Sequence, residues 1–150
     1  MLESGNKNEI KIIKFVLVKD LLIAVDSCEL MYLWDIKTLK LIEKINFNFN
    51  CNFIYIPNFN FKDFDNDLMF LSTSKGDILI YDLKELKFQA YSLPFSIIEN
   101  YLVKAKKKFN NIYNEVIIDL RLHPLDYNIL YVIYQNLGFF VVNLSVILII

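Results

Sequence analysis

The chain is built from short apolar runs that return in the same order. Residues 10–18 (IKIIKFVLV), 21–25 (LLIAV), 30–36 (LMYLWDI) and 39–45 (LKLIEKI) are separated only by Lys19-Asp20, Asp26-Ser27-Cys28-Glu29 and Lys37-Thr38. Runs this short, rich in β-branched and aromatic residues and joined by tight polar turns, read as an antiparallel meander of four strands. The order returns at 51–56, 68–73, 78–83 and 86–93, and again at 116–123, 128–134 and 139–144, where the fourth run is cut short. The third runs end alike, in LWDI, IYDL and VVNL; Trp34 and Tyr81 lie 47 residues apart, and Tyr81 and Val142 lie 61 apart. A single meander buries one face poorly, whereas stacked copies bury both. Runs such as LMYLW and ILIY, with little alternation, suit strands packed on both faces.

The turns carry their own signals. Gly76 in Ser74-Lys75-Gly76-Asp77 and Gly138 in Gln135-Asn136-Leu137-Gly138 are placed for a positive φ. Residues 57–67, rich in Asn and Asp, read as a loop. The longer second offset comes from residues 96–109 (SIIENYLVKAKKKF). Ile97, Ile98, Tyr101, Leu102 and Ala105 have helical spacing there, with Ser96 as N-cap and Glu99 completing a capping box.

The first offset is close to the roughly 40–45-residue period of WD-type propeller repeats. Trp34-Asp35 is a literal WD pair and Tyr81-Asp82 a variant of it. The chain departs from the WD pattern in lacking a Gly-His pair ahead of each repeat and in having Val142-Asn143 at the third ending. That leaves the usual buried His–Ser/Thr–Trp network without its histidine. The reading is therefore all-β: a WD-type β-propeller segment of about three four-stranded antiparallel blades with one inserted helix. The blades cover about residues 10–45, 51–93 and 116–150, the helical insertion covers 96–109, and residues 1–9 form a flexible N-terminus.

The third copy, HPLDYNILYVIYQNLGFFVVNL, resembles a blade of the lethal giant larvae and tomosyn family. The matching positions are His123, Pro124, Asp126, Asn128, Leu130, Tyr134, Gly138 and Val141. The strand pair at 68–83 followed by a helical insertion agrees with that family's layout. The resemblance spans about residues 10–144. It implies a non-enzymatic scaffold that binds protein partners, SNARE proteins among them, and works in exocytosis or polarity, in the cytoplasm or peripherally at membranes. It also implies that the chain is part of a longer propeller, because closed propellers usually need four to eight blades. Open sheet edges otherwise promote pairing or aggregation, so closure by oligomerising is the alternative. A generic WD scaffold of an unrelated pathway also stays open.

Chemistry is sparse. With 16 Lys and Arg against 17 Asp and Glu, the net charge is -1, which gives no electrostatic reason to expect nucleic acid. No nucleophile–base pair, phosphate loop or Gly-rich cradle is present, so neither an enzyme nor a cofactor or small-molecule substrate is expected. His123, the single histidine, reads as a turn residue. Asp63, Asp65 and Asp67 alternate like a calcium loop but lack its Gly and closing Glu, so no metal is expected. Cys28 and Cys51 read as two small buried residues, and Trp34, Tyr32 and Tyr81 as blade core. Lys104, Lys106, Lys107 and Lys108 form the densest basic cluster. It reads as the solvated end of the inserted helix, or as a contact for an acidic partner or anionic lipid.

The apolar C-terminus raises a membrane anchor as the competing reading. A spanning helix needs about 20 apolar residues, and Gln135-Asn136 and Asn143 interrupt the stretch. Residues 128–144 therefore read as two strands around a turn at Gly138. SVILII remains either a makeshift fourth strand or sequence beyond the blade.

Overall fold

A computed structural model describes residues 9–16, 20–47, 49–57, 68–105, 115–145 and 148–149. They form three four-stranded antiparallel sheets in chain order. The first holds β1 (Ile10–Val16), β2 (Leu21–Asp26), β3 (Leu30–Asp35) and β4 (Lys40–Asn46). The second holds β5 (Cys51–Tyr55), β6 (Leu68–Thr73), β7 (Ile78–Asp82) and β8 (Lys87–Leu93). After helix α1 (Ser96–Lys104), the third holds β9 (Ile117–Leu122), β10 (Ile129–Tyr134), β11 (Gly138–Asn143) and β12 (Leu148–Ile149). Each sheet is a meander in which a strand pairs with its sequence neighbours. The two-residue β12 pairs with the end of β11, so part of SVILII does serve as a makeshift fourth strand.

The sheets stack face to face. Ile23, Met31 and Leu33 of the first meet Ile54, Met69, Leu71 and Tyr81 of the second in one core. Phe70, Ile78 and Ile80, on the other face of the second sheet, meet Leu120, Leu130, Val132 and Val142 of the third in another. Alternation along each strand sends one set of side chains to each core. Full burial of each such Leu or Ile stabilises by roughly 1.5–3 kcal/mol. The first strands approach one another, β1 beside β5 and β5 beside β9. Sheets that converge on their first strands are wedges around a common axis, which is the blade arrangement of a propeller.

The same backbone donor is satisfied three times by different side chains. In the β2–β3 hairpin, Asp26 Oδ1 accepts from the Cys28 and Leu30 amides (2.8 and 3.0 Å). In the β6–β7 hairpin, Thr73 Oγ1 accepts from Lys75 and Asp77 (3.2 Å each). In the β10–β11 hairpin the strand ends in Tyr134, and Glu115 Oε2 accepts from Asn136 instead (3.3 Å). The WD-like endings act similarly one turn later. Asp35 Oδ1 accepts from Thr38 (2.9 Å), Asp82 Oδ1 from Lys84 and Glu85 (2.8 and 2.9 Å), and Asn143 Oδ1 from Ser145 (3.0 Å). An Asp or Asn at this place holds the turn by an Asx bond, which explains why the second letter of the pair survives when the first changes from Trp to Val.

Three expectations need correction. Phe95, in helical conformation and without a side-chain cap, is the N-cap of α1, and Ser96 is the first helical residue. The turn at Pro94 already supplies acceptors, since Ile97 donates to Pro94 and Ile98 and Glu99 donate to Phe95. A capping side chain is therefore unnecessary. The helix also ends at Lys104, and the rest of its expected span, residues 106–109, lies outside the described residues. Finally, Cys51 is buried but Cys28 is exposed, because it sits in the hairpin turn rather than in a strand. Burial pushes the Cys51 thiol up to about 12.

Candidate interaction surface

The strand register lets the repeat be followed residue by residue. In the first sheet Ile23 lies opposite Leu33 and Val25 opposite Met31. Moving on by 47 residues, Phe70 lies opposite Ile80 and Ser72 opposite Ile78. Moving on by a further 61, Tyr131 lies opposite Val141 and Ile133 opposite Phe139. The first two quartets are buried beneath the following sheet, none of them more than 2% exposed. In the third quartet Phe139 is 58% exposed, and Tyr131, Ile133 and Val141 are half-buried. Among the described residues no sheet covers this face.

Its relief and charge are defined. Tyr131 and Phe139 stack across the strands with ring centres 5.7 Å apart, and His123 leans against Tyr131 at 5.8 Å. A shallow cleft of about 200 Å³ is lined by Asp119, Leu120, Arg121, Tyr131, Ile133 and Phe139. The two charges sit on the edge strand, Asp119 opposite Ile133 and Arg121 opposite Tyr131. They bond to each other at 3.2 Å, and the guanidinium also lies 5.5 Å from the Tyr55 ring. Ile118, displaced by the bulge in β9, adds another exposed apolar side chain at the margin.

Of the described residues singled out for chemistry, His123 borders this face through Tyr131 and the others lie elsewhere. His123 Nδ1 accepts from the Leu125 and Asp126 amides (3.1 and 2.9 Å), so its lone pair is committed to the turn. Tyr32, Trp34 and Tyr81 are core, no more than 4% exposed, with Tyr32 and Trp34 stacked at 5.4 Å. Burial pushes the Tyr81 hydroxyl up to about 12. Lys104 is exposed in the last turn of α1. Lys106, Lys107, Lys108, Asp63, Asp65 and Asp67 lie outside the described residues. Among the described residues no group of three or more His, Cys, Asp and Glu could hold a metal ion, and no helix is long and apolar enough to cross a membrane.

The motif positions of the third copy now have physical roles. Asp126 Oδ1 accepts from the Asn128 amide (3.0 Å), and Leu130 is fully buried. Tyr134 donates its hydroxyl to the Gly76 carbonyl (2.9 Å), and Gly138 has φ +89°. Burial raises the Tyr134 hydroxyl far above its ordinary range, with Asp77 and Glu115 adding to the effect.

The chain is similar to the crystal structure of the β-propeller domain of Myceliophteria thermophila Cps50 (Swd1), with a TM-score of 0.60 and 11% identity. The match covers 93% of this chain and 37% of that one. The fold is a WD-type propeller segment. At this identity the likeness speaks for the fold alone. No protein-family model and no curated protein matches the chain.

The exposed quartet was not singled out from the sequence, although a signal was there. Carrying the 47- and 61-residue offsets from Ile23, Val25, Met31 and Leu33 leads directly to Tyr131, Ile133, Phe139 and Val141.

Proposed function

We propose that the chain is a non-enzymatic protein-interaction module that binds through the outer face of its third sheet. One observation carries this reading: Tyr131, Ile133, Phe139 and Val141 hold positions that are buried in the other two sheets, yet they face outward. An apolar face rimmed by polar groups marks a binding surface, and aromatic anchors dominate the energy of such surfaces. On this reading residues 10–150 form a partial propeller domain, with blades at about 10–45, 51–93 and 116–150.

The finer reading is SNARE binding in exocytosis or polarity, from the cytoplasm. It is supported by the resemblance of residues 123–144 to the lethal giant larvae and tomosyn family. Lys104, with Lys106, Lys107 and Lys108, supplies a second contact for acidic partners or anionic lipid. The test is a pull-down of purified SNARE proteins by the wild-type chain and by Phe139→Glu, with folding checked by circular dichroism. Binding by the folded wild type and loss in the folded variant support both levels of the reading. SNARE binding that survives Phe139→Glu removes the face. No SNARE binding by the folded wild type removes the finer reading.

A further inference from the structure

The polar residues of HPLDYN, between β9 and β10, form one hydrogen-bonded chain. His123 Nδ1 accepts from the Leu125 and Asp126 amides. The Asp126 carboxylate accepts from the Asn128 amide and its carbonyl from the Ile129 amide, both at 3.0 Å. The Asn128 carbonyl in turn accepts from the Leu144 amide at 2.6 Å, just past the end of β11. Pro124 has no N–H and adds no bond of this kind. The turn is therefore tied from His123, through Asp126 and Asn128, to the far strand of the next hairpin.

Histidine is the side chain whose ordinary charge change falls near neutral pH. A neutral imidazole has one nitrogen lone pair. Here it lies on Nδ1, facing two N–H donors, so the ring proton sits on Nε2. A second proton has only Nδ1 to go to. It turns an acceptor into a donor in front of two amide donors, and both bonds are lost. We propose that His123 is a proton-operated latch. Neutral, it closes the β9–β10 turn; protonated, it releases the turn and with it the tie between Asn128 and Leu144.

The groups around the ring fit this role. In the turn, Asp126 has Oδ1 engaged by the Asn128 amide, and Tyr127 follows it. On the β9 side, Arg121 precedes the ring by two residues and is paired with Asp119 at 3.2 Å, which offsets its charge. On β10, the Tyr131 ring lies 5.8 Å from the imidazole, and an aromatic ring holds a cation only weakly where water has access. Leu125 is 79% exposed and adds little packing to hold the turn once the bonds go. Tyr131 also stands on the outward face of the third sheet, so a change in the latch reaches that face directly.

Nuclear magnetic resonance of the whole chain across the imidazole range, from about pH 8 to pH 5, tests this. The neutral ring is expected to carry its proton on Nε2. As it takes the second proton, the Leu125 and Asp126 amide protons should move upfield. Exchange of the Leu144 amide, corrected for the intrinsic effect of pH, should speed up about tenfold. In His123→Asn the side-chain oxygen stands close to the place of Nδ1 and does not titrate, so the folded variant should show none of these changes. A neutral ring protonated on Nδ1, a second protonation that leaves the two turn amides unmoved, or Leu144 exchange that does not respond overturns the latch. So does the same response in His123→Asn, which would assign it to another group. The tautomer and the amide titration are read on the wild type, so they decide the matter even where His123→Asn fails to fold.

Discussion

Gly76 and Gly138 allow the packing at the junction of the second and third blades to be measured. Both have positive φ, +81° and +89°. An alanine in left-handed backbone costs roughly 1–2 kcal/mol, offset in part by about 0.4–1 kcal/mol from a stiffer unfolded chain. Those two effects are nearly common to both sites. The surroundings are not. A Cβ on Gly138 would meet nothing within 4 Å, whereas one on Gly76 would lie 3.1 Å from the Glu115 carbonyl oxygen, 3.1 Å from Phe95 Cδ2 and 3.2 Å from Tyr134 Cε1. None of these neighbours can step aside easily. The first is backbone, the two rings pack at 5.4 Å, and the Tyr134 hydroxyl is tied to the carbonyl of Gly76 itself.

Overpacking of this kind costs roughly 1–3 kcal/mol. Gly76→Ala should therefore be less stable than Gly138→Ala by about that amount, which in a chain of this length is roughly 2–4 °C of Tm for each kcal/mol. Urea unfolding followed by circular dichroism measures the difference, with unchanged m-values certifying that the comparison is between like transitions. If the two variants prove equally stable within about 0.5 kcal/mol, the close approach of the third blade to Gly76 is refuted.

Further expectations follow from the turns and the buried hydroxyls and thiol. Asp82→Ala should lower stability by about 1 kcal/mol, while Asp82→Asn, which keeps the acceptor for the Lys84 and Glu85 amides, should cost little in the same urea assay. Asp35 has its carboxyl held below the usual range, chiefly by the Thr38 amide. Its contribution is thus present above the unfolded carboxylate value and fades as pH falls through the folded one, a component that Asp35→Asn should remove from an acid titration. With thiol reagent, the exposed Cys28 should react in the native protein and the buried Cys51 only after unfolding, so one thiol titrating before urea and two after is the expected count. Cys51, Tyr81 and Tyr134 all have pKa values raised by burial, so each favours the folded state until its unfolded counterpart ionises. Stability should therefore decline upward from about pH 9, the ordinary thiol value, and Cys51→Ala should soften the first part of that decline.

Most strands were legible in the sequence because their turns are written in local chemistry. Residues 68–73 coincide with β6, and the other strand runs recur, trimmed or shifted by a residue or two at their ends. The start of α1 was misplaced for a reason that spacing cannot show. Ser96 and Glu99 have the sequence of a capping box, but the chain arrives from β8 already turning at Pro94. The Phe95 amide, which precedes the helix, is taken by Asp77 Oδ1 at 2.8 Å, eighteen residues earlier in the sequence. A long-range acceptor has replaced a local one.

The outward face of the third sheet was hidden by the same property that reveals the blades. Strands buried on both sides read as unbroken apolar runs, so ILYVIY and GFFVVN look as though both faces were equally buried. Only the register separates Leu130, Val132 and Tyr134, which face the second sheet, from Tyr131 and Ile133, which do not. The third blade also breaks the local rule that marks the other two, since the acceptor for its hairpin comes from Glu115 and not from the last residue of the strand. That carboxylate is fully buried, with Oε2 on the Asn136 amide and Oε1 without a hydrogen-bond partner among the described residues. An acceptor left half-used in a closed site costs free energy that an apolar residue would not. The hairpin of β10 and β11, which carries all four residues of the exposed quartet, is thus held by a carboxylate with only one of its oxygens engaged. Glu115→Gln separates the two contributions. It keeps an oxygen for Asn136 and gives the unpartnered side a donor, so it should leave the hairpin in place, whereas Glu115→Ala should loosen it. If Glu115→Ala leaves amide exchange at Asn136 unchanged, the hairpin does not depend on that carboxylate.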